Sequence, residues 1–395
     1  MLLRPAHRPL PNVTDVERNG HRAGPRLFLA SQEESVSTTS RITAAALAAA
    51  AGMTALAGCG SSGTGSSSAD AKTVTLVSHD SFNASKSVLA AFEKESGYKV
   101  KVLRGGDAGK AVNQAILSKD NPQGDVFFGI DNTLLSRGLN AGIFTPYQAK
   151  GLDSVPADLQ LDKDAHRVTP LDYGDICVNY DRAYFTQHKL APPQTFDDLL
   201  KPQYKGLLVT ENSATSSPGL AFQLGTIATH GEAGWPDYWK KLQANGVEVV
   251  DGWEQAYNER FSGSAAGKGK GDKPLVVSYA SSPPAEVMGK NPAPKEAPTG
   301  VATGTCFRQI EFGGLLKGAK NEKGGKALLD FLLSKKFQED MPLQMFVNPA
   351  RTDAKEPELF TRYGAKIDKP AALAPETIAK NRDQWIKQWS SLVLK

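Results

Sequence analysis

Residues 73–77 read TVTLV, a short β-branched run, and the spacing then turns helical: over 85–95, Val88, Leu89 and Phe92 share a face, and Gly97 ends the segment. The alternation repeats as a strand over 99–103, a helix over 109–118 and a strand over 125–129. That last run is almost continuously apolar, as a sheet covered on both faces requires. A β-α-β-α-β opening predicts an α/β fold with a mostly parallel sheet. In such sheets ligands sit beyond the carboxyl ends of the strands, here the loops 78–82, 104–109 and 130–133.

Farther on, residues 169–180, TPLDYGDICVNY, read as an extended crossover into a second unit. Helical spacing follows near 196–200 and 220–229, with strands at 247–250 and 275–279. Residues 308–312 read as a strand returning to the first unit, and 325–334 as an amphipathic helix. The expected body therefore has two lobes, 73–172 with about 307–340 as lobe I and 173–306 with about 341–395 as lobe II.

Ahead of this body, residues 42–57 form an apolar run too short for an ordinary bilayer span and suited to the core of an export signal. Leu56, Ala57, Gly58 and Cys59 resemble the bacterial lipobox, which implies cleavage after residue 58 and lipidation of Cys59. A soluble alanine-rich helix with an incidental cysteine is the other reading. Residues 60–71 are nearly all Gly, Ser, Ala or Thr, a tether with a reach of roughly 20 Å. Residues 1–58 thus read as a signal peptide and 59–72 as lipidated cysteine and linker. Residues 1–35 are long, rich in Pro and Arg and carry four acids, which suits no signal n-region; a translation start at Val36 is expected.

Composition narrows the picture. Removing residues 1–58 takes away six arginines and four acids, lowering the net charge from +4 to +2. No basic stripe appears, so nucleic acid is not an expected partner. No second apolar run of spanning length occurs, so the body is not expected to be membrane-embedded. Beyond Cys59, two cysteines remain, Cys177 and Cys306, an even pair in an oxidising compartment. A disulfide between them would staple the two crossing strands; two buried free thiols are the alternative.

Catalytic signatures are absent: there is no Gly-x-Ser-x-Gly, His-Glu-x-x-His or Cys-x-x-Cys. GGDAGKA at 105–111 has the wrong spacing before Lys110 for a phosphate loop, and six histidines are scattered without ligand spacing. The segment GKGKGDK at 267–273 reads as a solvated loop. No catalytic residue, cofactor or metal site is assigned.

Several motifs then carry a likeness: HDSF at 79–82, GIDNTLL at 129–135, LDYGDICVNYD at 171–181, TSSPGL at 215–220, DGWEQAY at 251–257, SYASSP at 278–283 and QWIKQW at 384–389. Together they resemble the thiamine-binding periplasmic proteins of ABC importers. The resemblance implies a two-lobed, type II periplasmic-binding-protein fold with a hinged interlobe cleft. It also implies a monomer that captures thiamine or a thiamine phosphate for a permease. The expected location is the outer face of the cytoplasmic membrane, to which the lipid on Cys59 would hold it. Rival readings are a binding protein for iron or a polyamine, and a secreted thiaminase-like enzyme.

Thiamine has a fixed positive charge, a flat aminopyrimidine and a hydroxyethyl arm. Its site therefore needs aromatic faces, a carboxylate and donors for an anion. The resemblance supplies Trp253 and Tyr279 as stacking rings and Asp107 as the acid, with core-aromatic and turn-residue roles as the alternatives. Ser216 and Ser217 precede Pro218 at a helix start suited to a hydroxyl or phosphate, although simple capping explains one serine equally well. Ser281 and Ser282 follow Tyr279, and His79, Asp80, Asp131 and Phe346 stand at further matched positions. Asp131 also suits a cap for a helix over 133–140. This chain departs from the family at His79, where relatives carry tyrosine, at Phe346, where they carry tryptophan, and at Ala285, where another aromatic lies.

Overall fold

The computed structural model describes residues 72–266 and 271–394. The apolar run, Cys59, the tether and four residues of the 267–273 loop lie outside the described residues.

Local signals set the first elements. Strand β1 (Thr73–Ser78) leads to helix α1 (Lys86–Ser96), which Ser85 caps by accepting the Val88 N–H and which Gly97 ends at φ +77°. Strand β2 (Lys99–Arg104) is followed by helix α2 (Ala108–Leu117), capped by Asp107. Strand β3 (Val126–Asp131) is buried throughout and opens into the short helix α3 (Leu135–Ala141) and strand β4 (Phe144–Thr145).

The extended crossover is strand β5 (Thr169–Asp181), with helix α4 (Arg182–Gln187) at its end. The residues near 196–200 make a single 3-10 turn rather than a longer helix. Strand β6 (Leu208–Glu211) feeds helix α5 (Ser217–Ala244), which is broken at Gly231 where the backbone leaves helical geometry. Strand β7 (Glu248–Val250), a π-helical turn at Glu254–Arg260 and strand β8 (Leu275–Tyr279) follow. The returning strand β9 (Thr299–Leu316) is far longer than the 308–312 stretch expected from the sequence. Helices α6 (Glu322–Leu332) and α7 (Lys335–Met345), strand β10 (Asn348–Pro349), and helices α8 (Glu358–Tyr363) and α9 (Pro375–Val393) complete the chain.

The main path of the sheet runs β2-β1-β3-β9-β5-β8-β6-β7. The β2-β1-β3 and β8-β6-β7 ends are each parallel, while β9 is antiparallel to both β3 and β5, and β8 is antiparallel to β5. This order has one functional consequence. Asp131, at the carboxyl end of β3, pairs with Glu311 of β9, which pairs with Asp172 of β5; Tyr279, at the carboxyl end of β8, pairs with Ile176 of β5. The two parallel sets run toward each other and their carboxyl ends meet over residues 172–176. The loops that carry ligand sites in open α/β sheets are thereby brought face to face from both lobes.

Where β5 and β9 cross between lobes, their register slips: Ile176 pairs with Phe307, but Val178 pairs with Ala302. Cys177 and Cys306 lie at that slip and form a disulfide, Cα to Cα 4.2 Å, with both residues buried. Beyond α7, Asn348 and Pro349 pair with Tyr173 and Asp172. Helix α9 packs on α5, with Trp389 edge-on to Trp239 at 5.3 Å and the Gln223 amide donating to the Trp385 carbonyl.

Candidate functional site

Asp107 is the pivot between the two ends of the sheet. One carboxylate oxygen caps α2 by accepting from Ala108 N at 2.6 Å, and the other accepts from Trp253 N at 2.8 Å, across 146 residues of sequence. Next to it, Lys110 N donates to Thr215 O at 3.1 Å, so the N-termini of α2 and α5 converge on the same point. The positive ends of both helices face this acid. The fit is close: a Cβ on Gly252 would meet Asp107 Oδ2 at 2.8 Å, and one on Gly109 would meet Thr215 O at 2.6 Å.

Trp253 leads into the π-helical turn. One face of its indole stacks on Tyr257, centroids 5.0 Å apart and planes 13° apart, while Nε1 donates to Ser278 Oγ at 2.9 Å. Tyr279 stands edge-on to it at 6.5 Å. The Tyr279 ring lies on bare backbone, since a Cβ on Gly174 would meet its Cδ1 at 2.7 Å. Trp253 and Tyr279 border an inner cavity of about 40 Å³ together with His79, Asp107, Ser217 and Glu311. Trp253, Ser81 and Met345 also border an outer cavity of about 430 Å³, whose walls include Asp80, Arg104, Glu254, Ser282, Ala285 and Phe346.

The serines are tied into the fold. Ser216 caps α5 by accepting from Gly219 N, and Ser217 Oγ accepts from the Gln309 amide at 3.0 Å. Ser281 donates to the Phe346 carbonyl at 2.6 Å, and Ser282 Oγ lies 2.9 Å from Ser278 Oγ. Phe346 sits at φ +57° and stacks on Phe360. Asp131 lies beneath the inner cavity: it accepts from Thr133 Oγ1, Leu134 N and the Gln309 amide, which uses both its oxygens and joins it to Ser217.

Charge dominates the floor. Asp107, Asp131, Asp172, Glu211 and Glu311 are all buried. Burial pushes every one of these carboxyls above its ordinary value, Glu311 to about 8, with Asp131 and Asp107 adding repulsion. His79 Nε2 stands 3.3 Å from Glu311 Oε1, yet burial depresses its own basicity. Nearby cations are engaged elsewhere: Lys110 pairs with Asp251, Arg308 with Asp175, and Arg104 donates to the carbonyls of Asp80 and Phe82. The cleft is thus lined by aromatic faces and by Asp107 and Glu311, which have no lysine or arginine partner among the described residues, an environment that favours a cation with flat rings.

Asp172, Glu211 and Glu311 were not singled out from the sequence. A signal existed, because each interrupts an apolar strand, as in VTEN, LDYG and QIEFGG. Which of them faces a cavity depends on the pairing of β5 with β9.

Comparison with known proteins agrees with this geometry. Residues 121–269 match the family of bacterial extracellular solute-binding proteins. The chain is similar to the thiamine-binding periplasmic protein of Salmonella typhimurium, 27% identical over 328 residues that cover 81% of this chain and 93% of the relative. Among solved structures it resembles a periplasmic thiamin binding protein, with TM-score 0.67 and 25% identity over 81% of this chain and 96% of that one. A ferric binding protein from Campylobacter jejuni shares the fold, with TM-score 0.63 and 19% identity, covering 81% of this chain and 99% of the other. The chain is a homologue of thiamine-binding periplasmic proteins and has the two-lobed type II periplasmic-binding-protein fold.

Proposed function

We propose that this chain is an extracytoplasmic receptor that captures thiamine or a thiamine phosphate and delivers it to an ABC permease, without chemical turnover. The observation that carries the reading is that Trp253 and Tyr279, edge-on to each other, border one cavity together with Asp107 and Glu311, neither of which has a lysine or arginine partner among the described residues. A desolvated thiazolium over such a ring gains about 2 kcal/mol, and the surrounding acids supply its counter-charge. Asp107 receives the ligand's charge or amino group, and the α5 N-terminus at Ser216 and Ser217 receives its hydroxyethyl arm or phosphate. Ser281 and Ser282 hold the loop behind Tyr279 and Phe346, while His79, Asp80 and Phe346 shape the walls and Asp131 supports Ser217 from beneath.

The rest of the reading follows from the body and its leader. Lobe I is residues 73–172 with about 307–340, lobe II is 173–306 with about 341–395, and closure of one on the other traps the ligand. A lipid on Cys59 holds a monomeric receptor to the outer face of the membrane. Thermal-shift titration of metal-free protein with thiamine, thiamine monophosphate, spermidine and ferric citrate tests the assignment. Stabilisation by a thiamine compound at micromolar concentration is expected. Stabilisation by spermidine or iron alone would overturn it, and release of separate pyrimidine and thiazole fragments would mark an enzyme.

A further inference from the structure

Asp172 of β5 and Glu311 of β9 are cross-strand partners, and each carboxyl alters the acidity of the other. Of the two, Glu311 borders the inner cavity, while Asp172 lies beneath it. The groups that act on the pair are Asp131 from β3, Asp107 from the start of α2 and His79 after β1; Asp80 and Glu254 act in turn on His79, and the pair itself acts on Tyr279 of β8. Among the described residues no lysine or arginine forms an ion pair with either carboxyl; the contact across the cavity is His79.

We infer that Glu311, backed by Asp172, is the specificity-determining charge that selects a permanent cation in this cleft, and that capture of the cation expels a proton from the pair. The inference rests on the cationic-ligand reading above. Two adjoining buried carboxylates repel each other, so the empty cleft keeps the pair protonated. Burial raises Glu311 to about 8, and at neutral pH it holds its proton. A fixed positive charge beside it favours the ionised form. The carboxyl O–H bond then breaks, the proton passes to solvent, and the ligand's charge replaces it. A neutral ring of the same shape receives no such stabilisation, so the exchange discriminates by charge where the aromatic walls discriminate by shape.

The sign of the pH dependence follows. When binding releases one proton, affinity rises about tenfold per pH unit while the empty protein is protonated, and it levels off once pH exceeds the empty-state value. His79 is neutral through this range, since burial lowers it from 6.5, and adds no opposing uptake.

Calorimetric titration of the Cys59–Lys395 protein in pairs of buffers with different ionisation enthalpies, from about pH 6.5 to about pH 8.5, measures the released proton directly. The probes are thiamine and its uncharged isostere in which carbon replaces the thiazolium nitrogen. Near pH 7 about one proton should leave per thiamine and none per isostere. Glu311→Gln should abolish the thiamine slope and lower the ratio of thiamine to isostere affinity by about tenfold. Asp172→Ala removes the neighbour that lowers Glu311, so the slope should persist to higher pH; it carries the test if the Gln variant fails to fold. Thiamine binding without proton release, or an unchanged slope in both variants, overturns the inference. Absence of thiamine binding at every pH overturns the functional reading instead.

Discussion

Replacing Trp253 by alanine removes an aromatic ring that borders both cavities. The indole stacks on Tyr257 at 5.0 Å on one side and borders both cavities with the rest of its surface. A cation resting against it therefore loses one desolvated π face, about 2 kcal/mol, or roughly 30-fold in Kd. The indole N–H bond to Ser278 Oγ disappears as well, at a cost of about 1 kcal/mol in stability. Trp253→Phe keeps a ring and loses the donor, while Ser278 retains Ser282; thiamine affinity should then fall by no more than about fivefold. Calorimetry gives Kd, and intrinsic fluorescence adds a specific readout. Trp235, Trp239 and Trp389 are wholly buried and Trp385 is 2% exposed, all on α5 and α9, so ligand-induced quenching should originate from Trp253 and vanish in the alanine variant. If that variant melts cooperatively and still binds thiamine within about threefold of wild type, the aromatic argument for this cleft is refuted.

Gly174→Ala places a Cβ 2.7 Å from Tyr279 Cδ1; the ring must move, and thiamine affinity measured by calorimetry should fall about tenfold, the order of a 1–3 kcal/mol overpacking strain. Paired substitution of Cys177 and Cys306 by alanine opens a cross-link spanning 129 positions, and urea unfolding should show a loss of about 3–5 kcal/mol. Ligand-free stability should depend on pH through Glu311, whose carboxyl is raised from 4.5 to about 8 on folding. The folded state binds the extra proton between those values, so stability is greatest below the unfolded value and declines by a few kcal/mol as pH rises toward about 8. Urea titrations at several pH values check this, and Glu311→Gln should flatten the decline.

Much of the fold was legible because its signals are local. Ser85, Gly97, Asp107 and Ser216 bound helices through bonds made within three or four residues, and the alternation of strand and helix spacing announces the parallel ends of the sheet. Matched motifs also pointed to Trp253, Tyr279, Asp107 and Ser217, which the structure gathers around one cavity. The length of β9 was not legible, because its first residues, TGVATGT, form no apolar run and take strand geometry by pairing with β5, while its last pair with β3 and β4. The helix expected near 196–200 shrank to one turn for the same reason: the local pattern sets a preference, and packing decides how far it extends.

Sequence alone thus determined most of the elements, their order and the aromatic and acidic character of the loops that follow the strands. Tertiary structure decided which acids share the cleft. Asp172 and Glu311 meet through strand register, Asp107 reaches Trp253 across 146 positions, and Glu211 of β6 is buried near enough to Asp107 to be raised by it. Side-chain direction along a strand alternates with each residue, so a single step in register would turn the strand carboxyls Asp172, Glu211 and Glu311 to the opposite face of the sheet. That step is fixed by long-range pairing and the slip at the disulfide, neither of which any local stretch of the chain encodes.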